Sequence, residues 1–418
     1  MAELLTTSIL DIPDELQAVL VAGARDATAV RGLTHGFYKY PARFSPTFAR
    51  AAIMAFTQPG DLVLDPHVGG GTTMVEAIAA GREAVGVDIS TLAEFVSGIK
   101  CTVFSEAELE TLERWSERVA GSVGIHKSST ALTDYEQLGY YKHLDHPSRW
   151  RLRKAIEQSL ASAIKLGTPR LEAFGRCVVL RTAQWALDGR SKRATIEDFR
   201  RILRGTAVEM VRGARDLRAA VKEHKRQPVT LLRRSAAGIE DDASMSELRA
   251  PKLVVTSPPY PGVHVLYHRW QVDGRKEAPL PFMIANKLDG SGASYYTMGD
   301  RKNPGLATYF ENITATMSSV AALADTETII VQMLAFSEAS WQLPQYIQCM
   351  GAAGLTEVFL SILENQGDGR LWRNVPGRRW YSEQRGNTPG SKEVVLLHRK
   401  ATVKLPRQQS RTELRPSQ

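Results

Sequence analysis

Between Asp61 and Asp88 the chain reads DLVLDPHVGGGTTMVEAIAAGREAVGVD. A short apolar run, three consecutive glycines, a stretch of helical periodicity closed by Gly81 and a second apolar run make a strand–turn–helix–strand unit. Such a unit opens a doubly wound α/β sheet, and it places the glycine turn outside the carboxyl end of a strand, where these sheets bind ligands. Three glycines let backbone approach a ligand, because no Cβ stands in the way. Asp65 precedes the turn and Asp88 ends the second strand, where a carboxylate can accept bonds from both hydroxyls of a ribose.

The rest of the chain agrees with a sheet that is interrupted and resumed. Residues 1–30 read as a helical lead, followed by the loop THGFYKYPARFSP and the apolar helix TFARAAIMAF. From Cys101 to about Arg226 the pattern is helical. The clearest helix begins at T-I-E-D, with Thr195 as N-cap and Asp198 at the third position; it is expected to run to about Arg226, with Pro228 beyond it. Ile202, Leu203, Val208, Val211 and Leu217 suggest its packed side. Strand patterns return at Val229–Arg234, Lys252–Ser257, Glu327–Phe336, Thr356–Leu363 and Glu393–Arg399, with helices near Tyr309–Leu323 and Trp341–Met350. The expected organisation is one α/β domain, residues 31–100 plus 227–400, split by a helical insertion over 101–226. A polar tail over 401–418 is expected to be disordered.

Charge narrows the class of partner. The net charge is +8, yet residues 149–234 alone hold 22 Lys+Arg against 8 Asp+Glu. A basic excess confined to one segment is what a polyanion-binding face looks like, and a basic helical surface without a partner is the alternative. The absence of an eighteen-residue apolar run argues against a membrane-spanning helix. The start, MAELLTTSILDIPDEL, lacks the pattern of a secretory signal. Cys101, Cys177 and Cys349 stand far apart with no CxxC, which fits a reducing cytoplasm and disfavours a disulfide framework or a cysteine zinc site. His264 and His268 have no carboxylate cluster beside them in sequence, so no metal site is expected.

The nature of the ligand follows from what the glycine turn lacks. It has no third glycine of the dinucleotide fingerprint and no lysine to cradle a triphosphate. A nucleoside cofactor without a phosphate chain, S-adenosylmethionine, is the expected ligand of Asp65, Gly69, Gly70, Gly71, Thr72, Thr73 and Asp88. A second cluster, Thr256-Ser257-Pro258-Pro259-Tyr260, directly follows the apolar run Leu253–Val255. Two prolines fix φ and remove two donors, leaving a rigid corner with exposed carbonyls. The Ser257 hydroxyl and the Pro258 carbonyl can accept hydrogen bonds from an exocyclic amine, and Tyr260 can stack on its ring.

Together these segments resemble the DNA amino-methyltransferases of restriction–modification type, which methylate N4 of cytosine or N6 of adenine. DPHVGGGTTMVEA…GREAVGVDIS looks like the family's cofactor motif, with His67 where Phe is usual and Gly70 where Ser is common. TSPPY looks like its catalytic motif in the form most associated with N4-cytosine enzymes. HGFYKYPARFSP resembles the N-terminal motif that helps enclose the methionine end of the cofactor, which carries Tyr40 and Phe44 over as contacts; Thr256 is carried over in the same way. After VTLLRR, Ser235 stands where the family's third-strand acid is expected, with Asp241 and Asp242 close behind.

The resemblance implies a doubly wound, mostly parallel S-adenosylmethionine-dependent methyltransferase sheet. It also implies a double-stranded DNA substrate whose target base is flipped out of the helix, and as a further expectation a cognate restriction nuclease. No Pro-Cys dipeptide occurs, which argues against a C5-cytosine mechanism. N4-cytosine methylation is the first expectation and N6-adenine methylation the second. An RNA or protein-amide methyltransferase and a catalytically silent nucleic-acid-binding protein stay open. The insertion cations, the loop Pro261–Arg275 and the loop Arg370–Arg385 are the expected DNA-facing surfaces.

Overall fold

The computed structural model describes residues 8–39, 45–144, 146–189, 194–262, 269–272, 276–290, 296–299, 302–374 and 392–401. Strands β1 (Ser8–Ile9), β2 (Leu62–Asp65), β3 (Glu83–Asp88), β4 (Val229–Arg233), β5 (Leu253–Thr256), β8 (Ile329–Leu334), β9 (Leu355–Phe359), β10 (Leu371–Asn374) and β11 (Lys392–Lys400) form one sheet. Its order is β1-β9-β11-β8-β5-β2-β3-β4, with β10 paired to β11. A separate hairpin joins β6 (Trp270–Val272) to β7 (Lys276–Ala278).

From β2 the chain winds outward through β3 to β4, all parallel, then returns to lay β5 on the other side of β2. From β5 it winds the opposite way through β8. The order therefore reverses between β2 and β5, and the crevice outside the carboxyl ends of those two strands is where an open α/β sheet takes its ligand. β11 enters antiparallel between β8 and β9, so the sheet is mixed but mostly parallel. This is the expected fold class.

The strands alternate between two cores, as a period of two requires. On one side Val63, Leu253, Val255 and Val331 pack with helices α1 (Asp14–Arg25), α2 (Pro46–Phe56) and α3 (Thr72–Ala79). On the other, Leu62, Leu64, Val254 and Ile330 pack with two helices nearer the end of the chain, over Ala307–Leu323 and Ala339–Ala352. A third core belongs to α4 (Thr91–Cys101), α5 (Glu106–Ser122), α6 (Thr133–Gln137), α7 (Trp150–Ile164), α8 (Pro169–Leu187), α9 (Ile196–Lys222) and α10 (Leu280–Ala285). The two late helices are α11 (Ala307–Leu323) and α12 (Ala339–Ala352).

Three sequence expectations change on contact with this arrangement. The lead is not purely helical, because Ser8 and Ile9 add a parallel edge strand beside β9. The Thr195 side chain does accept from the Asp198 N–H, but α9 stops at Lys222. Its buried stripe is Phe199, Leu203, Ala207, Met210, Ala214, Leu217 and Val221, with Val211 and Gly213, whereas Val208 is 48% exposed. Val208 sits near 180° from that stripe on a helix of 3.6 residues per turn, amid Arg201, Arg204 and Arg212. No helix among the described residues is long and apolar enough to cross a membrane.

Candidate active site

The glycine turn is shaped by its own backbone and tied down from α4. Gly69 and Gly71 both have positive φ, at 45° and 74°. A Cβ at Gly71 would lie 2.9 Å from Ser97 Oγ, so both conformation and space demand glycine there. Ser97 Oγ donates to the Gly69 carbonyl at 3.0 Å, and Lys100 Nζ donates to the Gly70 carbonyl at 2.6 Å. Lys100 is fully buried. Sequence reading did not single out either residue. Its signal was a lysine inside an otherwise apolar helical run, FVSGIK, which needs a partner because a buried ammonium is costly.

Two carboxylates flank the turn. Asp88 accepts from the backbone N–H groups of Gly69 and Ser90, both at 2.9 Å. Burial pushes its carboxyl up to about 6. Asp65 is buried at the end of β2, and burial pushes it up to about 7 against the hydroxyls of Thr73 and Thr256 and the His67 N–H. The partners of both acids are hydroxyls and backbone N–H groups.

The second cluster meets the first directly. β5 runs beside β2 in parallel register, Val63 with Leu253 and Leu64 with Val254, so Asp65 and Thr256 end on the same rim of the sheet. His67 Nδ1 lies 3.0 Å from Thr256 Oγ, and Thr73 Oγ donates to the Val255 carbonyl at 3.4 Å. Burial drives the His67 imidazole down to about 3, so it is neutral. Its buried Nε2 has no hydrogen-bond partner among the described residues. A phenylalanine in place of His67 would fill space but could not make the bond to Thr256.

At the proline corner, Ser257 is partly exposed, while Tyr309 donates its hydroxyl to the Pro259 carbonyl at 2.7 Å. Among the described residues the Pro258 carbonyl accepts no bond. Tyr260 differs from expectation: it is only 5% exposed, and its hydroxyl donates to Glu393 at 2.7 Å. So little of the ring is open that a base has no face to lie on, and the stacking role falls away. Ser257 Oγ donates to the Tyr260 hydroxyl at 3.3 Å. Glu393 was missed, since nothing local in its segment marks it, and Arg373, expected in a DNA-facing loop, is instead its partner through the β10–β11 pairing.

Other expected residues fare unevenly. Tyr40 and Phe44, the histidines His264 and His268, and most of the tail 401–418 lie outside the described residues. So do parts of both aromatic loops. In what is described, Trp270 is a buried plug bonded to Tyr38, and Arg269 pairs with Asp289. Arg370 pairs with Glu357 and Asp368, and Arg373 is buried. Each of these groups is engaged by a side chain of the protein itself. Asp242 is tied to Arg234 at 2.7 Å, which pulls it down to about 2, and Ser235 accepts from the Ala237 N–H. The N-terminal motif is anchored instead by Glu76 of α3, buried, which accepts from His35 and Arg50.

The basic segment is partly neutralised from within. Arg215 and Arg218 pair with acids of α5, Arg170 pairs with Glu108, and Arg153, Arg176 and Arg201 have carboxylate partners of their own. What stays on the outside of α9 is a stripe at helical spacing, Arg204, Arg212 and Lys222, opposite the buried stripe.

Comparison with known proteins finds likenesses over part of the chain, to a DNA methylase family model and to methyltransferases. Residues 23–95 match the family model for DNA methylases of the N6/N4 type. That stretch includes Asp65, the glycine turn and Asp88, and stops before the proline corner. The chain is 32% identical over 100 residues to the DNA adenine methyltransferase YhdJ of Escherichia coli, covering 23% of this chain and 33% of that protein. It is 34% identical over 85 residues to the type II methyltransferase M.MvaI of Kocuria varians, covering 20% and 19%. It is 27% identical over 78 residues to the type II methyltransferase M.MjaII of Methanocaldococcus jannaschii, covering 19% and 15%. The matched part thus spans a third or less of each of these relatives.

Proposed function

Taking kinship with the N4/N6 DNA amino-methyltransferases as the premise, we propose that this protein methylates the exocyclic amine of a base flipped out of double-stranded DNA, N4 of cytosine first. One observation carries the reading: the His67–Thr256 bond, 3.0 Å long, joins the glycine turn to the proline corner in a single crevice. Ser257 before the prolines supports cytosine. The kinship with an enzyme named as an adenine methyltransferase supports N6-adenine as the second reading.

S-adenosylmethionine fits the donor set. It brings positive charge and ribose hydroxyls but no phosphate, and the site offers two carboxylates raised by burial and bonded only by neutral donors. Asp88 would accept from the ribose, with Asp65, Gly69, Gly70, Gly71, Thr72, Thr73 and Thr256 lining the rest. The cofactor's sulfonium supplies an electrophilic methyl group. The protein's own part is to prepare the nucleophile. An exocyclic amine is conjugated with its ring, and accepting its N–H bonds at Ser257 and the Pro258 carbonyl concentrates and aims its lone pair.

The raised carboxylates make a pH prediction. A carboxyl held at about 7 in the folded protein against 3.8 as its ordinary value favours folding below pH 3.8, and that contribution is lost as pH rises towards 7. A cationic ligand favours the ionised form. The rise in melting temperature given by a fixed S-adenosylmethionine concentration should therefore grow between pH 6 and 8, roughly the window of the two acids. A rise independent of pH would count against Asp65 and Asp88 as cofactor ligands.

The helical insertion 101–226 is the DNA contact in this reading, through the outer stripe of α9. Affinity for a DNA duplex should fall steeply with salt, and Arg204→Ala with Arg212→Ala together should reduce the log–log slope by about two. An unchanged slope would move the contact elsewhere. The function itself is tested by sequencing modified bases in a bacterial host expressing the protein. N4-methylcytosine at a fixed sequence is expected; N6-methyladenine would select the second reading, and unmodified DNA would reject both.

A further inference from the structure

Behind Ser257 lies a chain of hydrogen bonds with a fixed direction. Arg373 lies opposite Glu393 in the β10–β11 ladder, and its Nε and Nη2 donate to Glu393 Oε2 at 2.7 and 2.6 Å. The pair is buried, with side chains 5% and 7% exposed. Guanidinium can only donate and a carboxylate can only accept. Glu393 Oε1 accepts a hydrogen bond from the Tyr260 hydroxyl at 2.7 Å, so the Tyr260 oxygen is left to receive, and Ser257 donates to it at 3.3 Å. A serine hydroxyl left alone rotates and can donate or accept. Here its one proton is turned inward and its lone pairs are left for the crevice.

Resting on the methyltransferase reading, we propose that Glu393 and Arg373, acting through Tyr260, hold Ser257 as an acceptor towards the substrate. An acceptor-only Ser257 receives the N–H of an amino group and repels a carbonyl oxygen. It thus selects the amino edge of cytosine or adenine over the keto edge of thymine or uracil. Glu393, Arg373 and Tyr260 are positioning residues. Their contribution is to turnover and to the choice between amino and keto bases, while cofactor binding depends on the other strand ends.

The test uses the full chain with Tyr260→Phe, which leaves the Glu393–Arg373 pair intact, and Glu393→Gln, whose amide can donate to Tyr260 and reverse the chain. With wild type active on DNA, Tyr260→Phe should lower kcat about 10–100-fold, with the DNA KM nearly unchanged. The double variant should be no worse than the poorer single one, because residues of one network are not additive. A kcat for Tyr260→Phe within about twofold of an active wild type overturns the proposal. Proton magnetic resonance gives a second readout that needs no turnover: a downfield hydroxyl proton in wild type that disappears in Tyr260→Phe. Its absence from wild type overturns the relay. Its presence in a wild type that methylates no DNA overturns the methyltransferase reading instead.

Discussion

Ser257→Ala should lower turnover by about 10²–10³, the range seen when one preorganised hydrogen-bonding group is removed from a reaction centre. S-adenosylmethionine binding should persist. The two halves of the prediction follow from position. Ser257 is the first residue beyond β5, partly exposed, with its proton held by Tyr260, so its lone pairs are what the substrate meets. The contacts that shape the cofactor turn come from Asp88, Ser97 and Lys100 on the opposite side of Asp65, and none passes through Ser257. The substitution also removes little that holds the fold, since the strand ends at Thr256 and the corner is kept by Tyr309 on the Pro259 carbonyl. Kinetics at saturating cofactor, beside direct cofactor titration, separate the two effects. Turnover near that of wild type would remove Ser257 from the mechanism.

Asp88→Ala should show the reverse order, with cofactor affinity lost first. Hydrogen bonds to a charged group contribute about 1.5–3 kcal/mol, so loss of the ribose contact should raise the cofactor Kd at least about tenfold. A second cause adds to the first. Asp88 holds the Gly69 N–H, and without it a turn with two left-handed glycines loses one of its anchors. Turnover at saturating cofactor should recover in part, because the proline corner does not touch Asp88. An unchanged Kd would show that the carboxylate serves the turn and not a ligand.

The sheet was legible because its central strands are buried on both faces and read as apolar runs, KLVVTS and ETIIVQMLAF among them, bounded by proline or charge. The glycine turn and the proline corner were legible for a different reason: each needs backbone that few residues permit. Adjacency of the two was not local information. It depends on β5 returning to the side of β2, which the order of strands along the chain does not dictate. The Glu393–Arg373 pairing was invisible for the same reason, since the two meet only across a ladder. Tyr260 and Trp270 misled in another way. An aromatic beside a functional motif reads as a contact surface, and here both rings fill the interior, each with its polar atom bonded to a buried partner. Nor can composition tell that acids of α5 lie against Arg215 and Arg218 of α9 and neutralise part of the insertion's charge.

The most direct test of the account is methyl transfer from labelled S-adenosylmethionine to duplex DNA by the purified protein, followed by digestion to nucleosides. Label on an exocyclic amine, as N4-methylcytosine or N6-methyladenine, with little in Ser257→Ala, is the predicted result. Label on carbon 5 of cytosine, or no label on DNA from a protein that binds both the cofactor and the duplex, would contradict it.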